Sequence, residues 1–122
     1  NRLLVGLNDS FPPEVVKDTL ARIARSWAAE RAPRLAGKTV ADRAAEITQI
    51  RNEEGAIATC EKVEGGYLIE QFNCPNLLVC RIHTQVCDME EQYIASMAGV
   101  PVTHASCIGR GDRVCAYLVR EG

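Results

Sequence analysis

The chain has 122 residues and a mass of about 13.4 kDa, enough for one domain with a real core. Hydrophobic residues make up 47% and charged residues 25%, an ordinary globular mix. The net charge of -2, from 14 basic and 16 acidic residues, excludes strong electrostatic attraction to nucleic acid or to an anionic membrane. Six cysteines stand against two Phe and one Trp. That is about one residue in twenty, below the 8–10% of a short secreted disulfide scaffold, so composition does not force disulfides. No stretch approaches the 18 apolar residues of a transmembrane helix. The run Leu3-Leu4-Val5-Gly6-Leu7 is too short for a signal-peptide core. With no initiator Met, the chain is expected to be processed or a piece of something longer. A cytoplasmic location is expected, where thiols stay reduced and clustered cysteines point to metal binding or redox chemistry.

Residues 12 to 35 read as a helix. Pro12-Pro13-Glu14 suits a first turn, where proline loses no hydrogen bond and an acid meets the positive end of the dipole. Val16, Leu20, Ile23 and Trp27 recur on one face, and Pro33 and Gly37 end the run. Residues 39 to 54 read as a second helix, with Thr39 as N-cap and Gly55 as stop. Val40, Ala44, Ile47 and Ile50 mark its inner face; Arg43, Glu46, Gln49, Arg51, Glu53 and Glu54 are expected outside. Residues 56 to 73 switch to strand patterning, two strands joined at Glu64-Gly65-Gly66. Residues 75 to 99 return to helix, in two pieces broken near Val86. Residues 100 to 108 and 113 to 119 form a second hairpin around Gly109-Arg110-Gly111-Asp112. The order predicts an α+β domain: two N-terminal amphipathic helices, then two β-hairpins separated by a helical segment, the antiparallel sheet covered by helices.

The cysteines separate by local context. Proline after Cys74 favours a helix start there, placing the sulfur beside free backbone N–H groups that favour thiolate. Cys87, followed by Asp88-Met89-Glu90-Glu91, reads as a second N-cap. Cys115 follows a glycine-rich turn. Thiolates at helix starts and beside such turns suit a metal cluster, because backbone N–H groups can bond its sulfurs. Cys60, Cys80 and Cys107 read as packing, since free cysteine is among the most buried residue types. If the last hairpin closes with Ile108 opposite Arg113, Cys115 shares a face with His104, Ser106 and Tyr117, and Cys107 points away; one residue more or less reverses this. No Cys-x-x-Cys occurs, so thioredoxin-like exchange and the usual zinc ribbon have no support.

The segments Asn73-Cys74-Pro75, His83-Thr84-Gln85-Val86-Cys87 and Gly109-Arg110-Gly111-Asp112-Arg113-Val114-Cys115-Ala116-Tyr117 resemble the C-terminal half of SufR-type transcriptional regulators. These are similar in turn to ArsR- and DeoR-like winged-helix repressors. The resemblance covers essentially the whole chain. It implies an iron–sulfur cluster, [4Fe–4S] or [2Fe–2S], held by Cys74, Cys87 and Cys115 with a non-cysteine fourth ligand. His83 and His104 are the candidates considered for that ligand, with Glu90, Cys80, Cys107 or solvent as others. It further implies a homodimeric repressor whose DNA contact is made by an N-terminal winged-helix domain outside these residues, with cluster status setting operator binding.

Two other readings compete. Paired helices alternating with hairpins are similar to vinyl-reductase-type domains, which enclose a small apolar ligand. The same cysteines could instead hold a structural zinc. An enzymatic Cys87–His83 pair lacks a third orienting residue, so no catalytic activity is expected.

Overall fold

The computed structural model describes residues 11–74 and 85–121. Helix α1 spans Pro13–Leu35 with proline at its first position and Glu14 in its first turn. It runs two residues past Pro33, because a proline in the last turn removes only one backbone hydrogen bond. It stops where Gly37 takes φ 73°. Its buried row is Val16, Leu20, Ala24, Ala28 and Leu35. The face is therefore rotated from the expected one: Ile23 is only partly buried and Trp27 is 43% exposed. The rotation follows from what α1 packs on. Its main neighbour is a helix, α3 (Gln85–Ala98), and Trp27 reaches over to meet Tyr93 edge-on at 5.9 Å.

Helix α2 spans Val40–Glu53, and the Asp42 N–H donates to the Thr39 hydroxyl at 3.2 Å, so the N-cap is as expected. Ala44, Ile47 and Ile50 are fully buried. Arg51, expected outside, is only 4% exposed. Its guanidinium is met by Gln71 Oε1 at 2.7 Å, Glu54 Oε1 at 2.9 Å and Glu90 Oε1 at 3.0 Å, the partners a buried cation requires.

The strands are β1 (Ala58–Val63), β2 (Gly66–Gln71), β3 (Val102–Ser106) and β4 (Cys115–Arg120). They form one antiparallel sheet in the order β1-β2-β4-β3. The fold is thus α+β, with α2 and α3 laid on one face of the sheet and α1 against α3. No helix among the described residues is long and apolar enough to cross a membrane.

The two hairpins differ. Between β1 and β2 the register is unbroken from Ala58↔Gln71 to Val63↔Gly66, closed by Glu64 and Gly65, the latter at φ 84°. Between β3 and β4, His104 pairs with Tyr117 but Ser106 pairs with Ala116. One extra residue, Ala105, is accommodated in β3 as a bulge. A 3-10 turn at Ile108–Arg110 follows, ending at Gly111 with φ 101°.

Candidate metal centre

The bulge decides the site. The sequence register holds up to His104, which lies opposite Tyr117 on the helix-facing side. Beyond it the added residue turns Cys107 to that same side, whereas strict pairing of Ile108 with Arg113 would point it away. His104, Cys107 and Cys115 then offer three ligand atoms within 4.8 Å of one another. Cys87 joins from α3, its sulfur 3.3 Å from that of Cys107. Cys74 joins from three residues past β2, its thiol hydrogen-bonded with Cys115. Four thiols from three parts of the chain therefore meet beneath α3. All four are buried, at 5% exposure or less. Cys60 lies elsewhere on the sheet, half-buried opposite Ile69 and beside Thr48. His83 and Cys80 fall outside the described residues.

Cys87 lies inside α3 rather than at its N-cap. It starts the row Cys87, Glu90, Ile94, Met97, whose helical spacing turns all four inward. Cys107, read as packing, is a full member of the group. The signal that could have found it was the sensitivity of the hairpin to a one-residue slip, which leaves no mark on composition or periodicity.

The loop between β3 and β4 is built around the sulfurs. Asp112 Oδ2 accepts the Cys107 N–H at 2.8 Å, and the Asp112 N–H returns to the Cys107 carbonyl at 3.1 Å. This fold-back aims the Ile108 N–H at Cys115 Sγ, 3.2 Å away. A backbone donor on a cysteine sulfur is what an anionic thiolate requires. Without a cation, the Cys74 thiol and then burial push the Cys115 thiol well above the usual cysteine range, and the Ile108 N–H opposes them. Burial first of all holds the His104 imidazole below its ordinary value, against the nearby Glu91 carboxylate. The ring is therefore neutral at pH 7 and stacks on Tyr117 with centroids 4.3 Å apart.

Among the described residues three buried side-chain polar atoms have no hydrogen-bond partner: Gln71 Nε2, His104 Nε2 and the Tyr117 hydroxyl. All three belong to the face that carries Cys115. Gln71 is its register partner on β2, Tyr117 is two residues on in β4, and His104 lies opposite Tyr117.

Four sulfurs and a neutral imidazole nitrogen form a donor set for zinc or an iron–sulfur centre rather than for magnesium or calcium. A groove of about 200 Å³ between α1 and α3, near Ala32 and Met97, is below the roughly 300–1,000 Å³ of ordinary organic-ligand sites. Comparison of the chain with protein-family models, with curated proteins and with solved structures finds no match in any of the three.

Proposed function

We propose that this chain is the sensor domain of a transcriptional regulator and that Cys74, Cys87 and Cys115 hold an iron–sulfur cluster, with Cys107 or the neighbouring His104 as the fourth ligand. The observation that carries this reading is the meeting of four buried thiols under one helix, one of them already receiving a backbone N–H. The residues fit such a group. Their sulfurs are the ligands it takes, and buried polar atoms without partners border them. When bound, the cluster supplies sensitivity to oxidant and to iron supply.

The chain's own part is mechanical. Cys87 ties α3 to the sheet, and α3 is the main support of α1. Release of Cys87 from the group frees α3 to shift, and α1 with it. In a homodimeric cytoplasmic repressor with a winged-helix domain N-terminal to these residues, α1 would carry that shift toward the DNA. The test is iron, sulfide and zinc content of protein kept anaerobic throughout, with its visible spectrum. Iron and sulfide with broad visible absorption are expected; colourless protein after anaerobic reconstitution overturns the cluster.

A structural zinc is the second reading. It is favoured by the 4.8 Å compass of the His104, Cys107 and Cys115 donors, a span that one tetrahedral ion can bridge. The same elemental analysis separates the two.

A further inference from the structure

We infer that Tyr117 and Gln71 are positioning residues of the metal centre, donating hydrogen bonds from the Tyr117 hydroxyl and Gln71 Nε2 to its sulfurs and linking it to the buried Arg51–Glu90 pair. The inference rests on the metal-centre reading and deepens it.

Buried polar atoms without partners are rare, and each calls for a partner such as a bound group or an ordered water. Here they sit on one patch of one sheet face, next to the thiols. Gln71 and Tyr117 are both fully buried, so bulk water cannot satisfy them. A packing role alone would have been met by Phe and Leu at no desolvation cost. The half of Gln71 that is satisfied shows how the amide is held: Oε1 accepts from Arg51 Nε at 2.7 Å, which leaves the NH₂ as the free end. Arg51 in turn donates to Glu90 at 3.0 Å, three residues after Cys87 on the same inward row of α3. Tyr117 lies two residues from Cys115 in β4 and opposite His104 in β3, on the face that carries the sulfurs. Gln71 thus has its Oε1 end fixed by Arg51 and sits beside Cys115 in the sheet, and Tyr117 shares that face with its hydroxyl unpartnered. Sulfur ligands that carry several negative charges are held by such donors, and outer partners of this kind are typically worth about 10–100-fold in metal affinity.

The test uses the whole chain with Tyr117→Phe and Gln71→Glu, which keeps the acceptor for Arg51 and removes the NH₂. Wild type and variants are loaded anaerobically with ferrous iron and sulfide, and separately with zinc. Affinity is read by chelator competition, and the cluster's reduction potential by spectroscopic titration. Both variants are expected to melt as wild type does without metal, to bind about tenfold or more weakly, and to shift the potential downward, because lost donors leave the reduced cluster less stabilised. Affinity and potential equal to wild type in both variants overturn the inference alone. So does a loss of binding fully matched by a loss of thermal stability in the metal-free protein. A wild type that takes zinc but no cluster removes the iron–sulfur reading and leaves the inference to be decided on zinc affinity. A wild type that takes neither overturns both.

Discussion

The two hairpins of the sheet are both antiparallel pairs of short strands, and they close differently. The first, β1–β2, pairs residue for residue, turns on two residues, and leaves its one cysteine, Cys60, half-buried against the core. The second, β3–β4, breaks register after His104, spends three residues on a 3-10 turn and folds Asp112 back onto Cys107. The regular hairpin is structural. The irregular one gathers sulfur. A β-bulge puts two residues of one strand against one of its partner. Here that places both His104 and Cys107 on the face of Cys115, which strict alternation cannot do.

Arg51 ties the two halves together, since it touches Gln71 of the first hairpin and Glu90 below the second. Its replacement should therefore have the largest effect. Arg51→Leu takes from the buried Glu90 carboxylate the cation 3.0 Å away, and a loss of about 3–5 kcal/mol is expected in chemical denaturation. A loss under about 1 kcal/mol would mean that Glu90 finds water or another cation, and that the halves do not depend on this link.

The contrast between hairpins is next tested on the cysteines themselves. Cys107→Ser should reduce metal affinity by at least about 100-fold, beyond the range of outer partners. Cys60→Ser should leave it unchanged. Equal effects from the two would place the metal elsewhere. In the regular hairpin, Gly66→Ala sets a Cβ against the Val119 carbonyl, where β2 pairs with β4. About 1–3 kcal/mol of destabilisation is expected from that overpacking, read as a lower Tm, with metal stoichiometry intact.

These outcomes also mark what the sequence carries. The Thr39 cap, the two-residue Gly65 turn and the α+β order follow from local chemistry, and the structure has them. Arg51 is buried rather than exposed because two of its three partners, Gln71 and Glu90, lie 20 and 39 residues away, and no helix pattern reports them. The face of α1 was rotated because a helix packing on a helix chose Ala24 and Ala28 over Trp27. Pro75 and the glycine-rich turn single out Cys74 and Cys115 in the sequence, and their thiols do meet, although the helix start expected after Cys74 falls outside the described residues. The membership of Cys107 was not legible there, because a bulge adds a residue without changing the composition of the strand.

The smallest effect lies farthest from the site. Arg34 joins α1 to α2 through Glu46 and Glu53, each contact at 2.8 Å. The bond from Arg34 holds the Glu53 carboxyl below its ordinary pKa, slight burial opposing. A carboxylate whose pKa is lowered on folding adds stability above its unfolded pKa and loses it as pH falls through the folded value. The contribution should therefore be complete at neutral pH and fade below about pH 4.5, the ordinary value for this group. Both side chains are solvated, so the pair should be weak and screened by salt. Arg34→Ala should lower Tm by no more than a degree or two at pH 7, and by less at pH 3.5 or in 1 M salt. A larger effect that persists in salt would assign to Arg34 a packing role between α1 and α2, and would make that junction, rather than the Arg51 link, the firmer contact of the helical layer.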